Sequence, residues 1–156
     1  FYPLNQEVTV TAEARPGWKF RRFTGDIQST SPTGVVRMSL ARVVVAGMDK
    51  VPFIPPAVTR NAVGETPEKA VAPGSIISIF GEDLAPRLEA GRSNPLQQSI
   101  AGTAVEVEGR WLPLLYVSQE QINAQLSSDL ADGDYKLRIQ RQGLPDVTGE
   151  FKVARN

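Results

Sequence analysis

Two carboxylate pairs are the first groups that could do chemistry. Glu82 and Asp83 are adjacent, and Glu106 and Glu108 are two apart; a glycosidase places two carboxyl groups several ångströms apart across the scissile bond. Glu106 and Glu108 lie at period two in Thr103-Ala-Val-Glu-Val-Glu108. On an alternating strand both then face solvent, where a hydrated, non-catalytic pair is expected. Asp129, Asp132 and Asp134 surround Gly133 and could offer oxygens to Ca²⁺, which takes about six to eight of them. Their spacing is not that of an EF-hand loop, and Asp-Gly is first of all a turn signal, so turn formation and calcium ligation both stay open. Gln121 and Asn123 share a parity with Gln125 and would point to one strand face. Amides there are read as structural, with Asn123 bonded to backbone of a neighbouring loop, because a buried polar group without a partner costs about 1–3 kcal/mol. Trp111, which follows a Gly-Arg turn, and Tyr116 are candidate ligand-contact aromatics. Trp18, beside Phe20, reads as core.

Other chemistry is excluded by what the chain lacks. It has no Cys and no His, which removes disulfides, thiolate metal sites, the imidazole base and the usual zinc ligand. Ser29-Thr30-Ser31 reads as a loop, and a serine nucleophile there would need a lysine base that no motif supplies. None of the five lysines sits in an apolar strand pattern, so a Lys-Asn isopeptide crosslink is not expected. No catalytic residue, metal site or cofactor is expected. Seventeen basic and seventeen acidic residues cancel, unlike the strongly basic footprint of a nucleic-acid binder. No apolar run approaches the roughly twenty residues that span a bilayer. Phe1-Tyr2-Pro3 does not resemble a signal peptide, and the chain reads as a piece of something longer.

The elements that must position these groups are strands. Val8, Val10, Ala12 and Ala14 alternate with Glu7, Thr9, Thr11 and Glu13, the pattern of a half-buried antiparallel strand. Pro16-Gly17 is a turn signal. A second strand is expected from Trp18 to Phe23, ended by Thr24-Gly25-Asp26. Two further strands, 34–40 and 41–48, would complete a meander. Val51-Pro-Phe-Ile-Pro-Pro56 then removes backbone donors and favours extended chain. A domain boundary is placed there, giving modules 1–52 and 53–156, whose net charges are +3 and −3.

In the second module a strand is expected near 57–60. Ser75-Ile-Ile-Ser-Ile-Phe80 is a short apolar run bounded by Pro73-Gly74 and Gly81, which reads as a sandwich-core strand. Strands are also expected at 103–108, 111–116, 121–126, 135–140 and 147–153, with a Gln142-Gly143 turn before the last. About seven strands between Gly, Pro and Asp turns point to an immunoglobulin-like sandwich. Residues 86–91 could form at most a turn or two of helix.

These residues carry two resemblances. The order Val-Thr-Val-Thr, Pro-Gly, Trp18-Lys-Phe-Arg-Arg-Phe23, Thr24-Gly25-Asp26 and a final β-branched strand resembles, over roughly residues 2 to 48, the internalin-type B-repeat of bacterial surface proteins. It departs at Arg22-Phe23, where that repeat has Gly-Trp. Asn61-Ala62, Ala72-Pro-Gly-Ser-Ile-Ile-Ser-Ile-Phe-Gly-Glu-Asp-Leu-Ala85, Pro95-Leu96, Val105 to Gly109, Pro113-Leu-Leu-Tyr-Val-Ser118 and Gln121-Ile-Asn123 resemble an immunoglobulin-like domain family found near the C-termini of exported acidobacterial proteins. Departures are Glu108 for Asn, Gln119-Glu120 for Pro-Gly, and Ala124 and Ser127 for Phe and Pro.

The resemblances imply an all-β chain: a small antiparallel β-repeat module followed by an immunoglobulin-like sandwich, secreted or on the cell surface. They imply a non-enzymatic spacer or presentation module whose partners are other domains of a larger parent chain. The alternative is an adhesion or carbohydrate-binding module, with polysaccharide or a surface protein as partner.

Overall fold

A computed structural model of the chain describes residues 3–55, 59–61 and 70–155. It is all-β and antiparallel throughout its named strands, with no helix among the described residues; accordingly no helix is long and apolar enough to cross a membrane. The chain divides into two compact units, Phe1–Val51 and Pro52–Asn156.

The first unit holds β1 (Glu7–Thr11), β2 (Trp18–Gly25), β3 (Thr33–Arg37) and β4 (Val44–Lys50). The expected meander is not what forms: β1 pairs with β3 and β2 with β4, in two separate two-stranded sheets. Alternation fixes which side chains share a face and leaves the choice of neighbour to the loops. Here the Thr24-Gly25-Asp26 corner and a loop whose Ser29 oxygen accepts from Phe23 N–H at 2.7 Å carry the chain away from β2 before β3 begins. A bulge between Phe20 and Arg22 changes the phase of β2, since the extra residue of a bulge reorients the side chains after it. Phe23 therefore joins Phe20, with ring centroids 4.9 Å apart. Phe23, Ile27 and Val36 form the buried centre, with Val10, Ala12, Met38 and Val44 packed against it.

The second unit begins with β5 (Thr59–Asn61); of the strand expected near 57–60, residues 57 and 58 lie outside the described residues. After it come β6 (Ile76–Phe80), β7 (Glu89–Ala90), β8 (Ser99–Ile100), β9 (Thr103–Val107), β10 (Arg110–Trp111), β11 (Leu114–Val117), β12 (Gln121–Gln125), β13 (Gly133–Arg141) and β14 (Val147–Val153). One sheet runs β5-β6-β12-β11-β7, the other β10-β9-β13-β14 with β8 also on β9. The described strands outnumber the expected seven because β7, β8 and β10 are two-residue pieces without a hydrophobic alternation to read.

The two sheets face each other over one continuous core. Ile77 and Ile79 of β6 and Ile122 and Ala124 of β12 meet Val105 and Val107 of β9 and Leu137 and Ile139 of β13 in a single buried cluster. The expected strand 111–116 is in fact two strands in different sheets. Pro113 has no N–H for a ladder, and the chain crosses there from one sheet to the other: Leu112 N–H donates to Val105 O at 2.8 Å, and Leu114 N–H to Gln97 O at 2.7 Å. Tyr135, near the start of β13, donates its hydroxyl to Ala131 O at 3.1 Å, and two residues on Leu137 is fully buried.

Candidate functional site

The amide residues and the aromatics singled out from the sequence fall on two outer surfaces of the second unit. On the first sheet, Asn123 stands opposite Ser78 of β6 and Tyr116 of β11. A bulge between Leu114 and Tyr116 makes this possible. Leu114 and Val117 are both fully buried although three residues apart, so the bulge turns Tyr116 outward. Asn123 Oδ1 accepts from Ser78 Oγ at 2.9 Å and from Gln121 Nε2 at 2.7 Å; the same Nε2 donates to Ser78 Oγ at 3.3 Å. The partners are thus side chains on β6 and β12, where loop backbone was expected. Ser78 is only 4% exposed, covered by the half-buried amides. This triad joins two neighbouring strands by side chains as well as by their ladder.

Trp111 belongs to the other sheet. It lies opposite Glu106, which lies opposite Arg138. The Arg138 guanidinium is 5.4 Å from the Trp111 ring centroid, donates from Nε and Nη2 to Glu106 Oε2, and from Nη1 to Asp146 Oδ2 at 2.8 Å. These acceptors, Glu106 first, raise the Arg138 pKa further. Trp111 is consequently half-buried beneath a cation held in place on its other sides. Trp111 and Tyr116 do not form one aromatic platform, since they occupy the outer faces of different sheets.

The expectation of a hydrated Glu106/Glu108 pair is corrected. The Glu106 side chain is 18% exposed and held by Arg138, while Glu108 has left the strand: with φ 51° beside Gly109 at 74°, it occupies the β9–β10 turn. Two successive positive φ values define the type I′ hairpin turn. Glu82 and Asp83 also separate. Glu82 N–H and C=O bond to Phe53 backbone, and Asp83 carries an ion pair to Arg141.

The three aspartates considered for calcium have separate partners. Asp129 accepts from Arg110 Nη1 at 2.7 Å and from Ser127 Oγ, and these bonds, Arg110 first, lower its pKa. Asp132 accepts Arg155 N–H at 3.1 Å, and Asp134 lies 3.4 Å from Lys152 Nζ. Among the described residues no three acidic or other ligating side chains are grouped to hold a metal.

Several positioning residues were not singled out from the sequence. Ser118, 7% exposed, closes the β11–β12 turn by accepting Gln121 N–H at 3.0 Å and Glu120 N–H at 3.2 Å. Its signal was its place directly before the departure at Gln119-Glu120. In the first unit Asp26 accepts Val43 N–H at 2.7 Å and Arg42 Nη1 at 3.0 Å; the Val43 bond, then Arg42, holds its carboxyl below the ordinary aspartate range. Trp18 was read as core, but it is half-buried outside the core cluster. Arg15 lies 5.3 Å and Lys50 5.9 Å from its ring centroid; β2 and β4 are only two strands wide and leave that ring to the cations.

No protein-family model matches the chain, and no curated protein sequence matches it. Among solved structures the similarity is weak. The Bacteroides ovatus mixed-linkage glucan utilization locus protein SGBP-B, in complex with a mixed-linkage heptasaccharide, superposes with a TM-score of 0.40 at 14% identity. The match covers 97% of this chain and 41% of that one.

Proposed function

We propose that this chain is a non-catalytic accessory segment of an exported bacterial protein, a small β-repeat module and an immunoglobulin-like sandwich that space or present other domains of the parent chain. The observation that carries this reading is the commitment of four carboxylates to arginine partners. Glu106 is held by Arg138, Asp83 by Arg141, Asp129 by Arg110 and Asp26 by Arg42. A carboxylate whose lone pairs are occupied by guanidinium donors is poorly placed to take a proton from a substrate or to attack it. The immunoglobulin-like assignment is supported by Tyr135, whose hydroxyl reaches back four residues to Ala131 O in the manner of the tyrosine corner of that fold. The family assignments, acidobacterial for the sandwich and internalin-type for the first unit, rest on their sequence motifs.

A second reading, attachment to polysaccharide, is favoured by the outward-facing Trp111 with its polar neighbours. The two are separated by incubating the purified chain with polysaccharide, ester and peptide substrates and by titrating soluble glucan and xylan while Trp fluorescence is followed. The spacer reading expects neither turnover nor a fluorescence change. A glycan response abolished by Trp111→Ala establishes the second reading. Turnover lost on mutation of one carboxylate refutes both.

A further inference from the structure

Two open clefts meet at the end of the second sheet, where β8 turns into β9 and β13 turns into β14. One, of about 550 Å³, is lined by Pro86, Arg87, Ala101, Gly102, Arg141 and Gln142. The other, of about 420 Å³, shares Gly102, Arg141 and Gln142 and adds Ser99, Ala104 and Gln140 among its walls. Both volumes lie in the range of small-ligand sites, about 300–1,000 Å³.

Arg141 is the wall common to both, and its donors are unevenly used. Nη1 bonds Asp83 O at 2.6 Å and lies 2.6 Å from Asp83 Oδ1. Among the described residues Nε and Nη2 have no protein partner, although the side chain is only 15% exposed. Arg141 lines both open clefts, so these donors are free to exchange water for a ligand. Asp83 itself has φ 55°, and this left-handed turn brings its carbonyl and carboxylate to the same guanidinium. Arg141 is therefore clamped on one side with a planar pair of donors left over, the geometry that recognises a carboxylate bidentately. Arg87, exposed in the wall of the first cleft, bonds Glu89 through Nε and Nη2.

The rest of the surface is suited to a sugar ring. Ala104 and Gly102 leave room over the sheet. Gln140, Gln142 and Ser99 bear groups that both donate and accept, as sugar hydroxyls do, Leu144 adds an apolar wall, and the one carboxylate in the lining, Asp146, is engaged by Arg138 Nη1 at 2.8 Å. At the clefts Gln140 and Arg141 pair with Ala104 and Thr103 of β9, while the ladder of β13 with β14 ends at Ile139; a peptide carboxylate would meet the same guanidinium, and the dipeptide in the test below separates the two.

Resting on the polysaccharide reading, we propose that these paired clefts bind an acidic oligosaccharide. The carboxylate of one uronic acid lies between Arg141 and Arg87, and the neighbouring ring lies on Ala104 and Gly102 with its hydroxyls toward Gln140, Gln142 and Ser99.

The test is a ¹⁵N NMR titration of the whole chain with α-1,4-linked trigalacturonate, the neutral α-1,4-linked maltotriose, and a dipeptide with a free C-terminal carboxylate. Trigalacturonate should shift the amides of Gly102, Arg141, Gln142 and Gly143 and bind at least about tenfold more tightly than either control; salt should weaken it. Arg141→Lys keeps a charge for Asp83 but loses the planar fork, and should weaken binding about tenfold. Should that variant melt early, the exposed Arg87→Ala and Gln142→Ala substitutions carry the same test, each expected to weaken binding several-fold. Equal binding of maltotriose or of the dipeptide, or shifts elsewhere, overturns the proposal. A Trp111-dependent response to neutral glucan without any response to trigalacturonate overturns this inference and leaves the polysaccharide reading standing. No response to any saccharide removes both.

Discussion

Replacing Asn123 by alanine removes one oxygen that accepts two hydrogen bonds, from Ser78 Oγ at 2.9 Å and Gln121 Nε2 at 2.7 Å. Each such bond contributes about 0.5–1.5 kcal/mol net. Ser78 is 4% exposed, so its hydroxyl loses a partner in a site with little water. Asn123 itself is half-buried, and the space it vacates can admit some. We expect a loss of about 1–2 kcal/mol from the second unit. A double-mutant cycle makes the expectation specific: Ser78→Ala in the Asn123→Ala background should cost about 0.5–1.5 kcal/mol less than in the native chain, because the two side chains act as one network. The assay is urea unfolding followed by Trp111 fluorescence in a Trp18→Phe background, which leaves a single reporter, located in the second unit. If Asn123→Ala stays within about 0.3 kcal/mol of the parent, or the two substitutions are additive, the triad does not tie β6 to β12 and the structural account of these amides fails.

Three further outcomes are expected. A Cβ at Gly25 would sit 2.2 Å from Val43 O at φ +92°, so Gly25→Ala should destabilise the first unit by more than about 2 kcal/mol; an unchanged melt followed by Trp18 fluorescence would count against this. Asp26 has its folded pKa lowered, chiefly by Val43 N–H and then by Arg42, so its contribution is present above the ordinary value of about 3.9 and is lost as pH falls through the folded pKa. The melting temperature of the first unit should drop in that acid range, and Asp26→Asn should flatten the dependence; equal slopes for the two proteins would refute it. Glu108→Asn places the preferred residue at φ 51° before Gly109 and should stabilise the second unit by about 0.5–1 kcal/mol, read from the urea midpoint; a lower midpoint would contradict the turn assignment.

The all-β class and most strands were legible because alternation at period two is written in single residues. The Ile77/Ile79, Val105/Val107 and Leu137/Ile139 pairs announce their own faces. Gln121 and Asn123 could be placed on one face by the same parity, but their partner could not be identified, since Ser78 lies 45 residues from Asn123 and no local pattern encodes a cross-strand neighbour. Pairing order in the first unit was illegible for the same reason. The bulges at Phe20/Arg22 and Leu114/Tyr116 invert parity locally, which is why Phe23 and Tyr116 face where counting by twos does not put them. Trp111 and Tyr116, five residues apart, belong by sequence to one expected strand, 111–116, and only the structure shows Pro113 sending the chain across to the other sheet. Composition removed the chemistry of histidine and cysteine outright, because absent atoms can do nothing in any fold. Which arginine neutralises which carboxylate, and that Arg141 keeps two nitrogens unused beside open clefts, was decided only by the tertiary structure, since charge pairing depends on distance in space and falls away over a few ångströms of water.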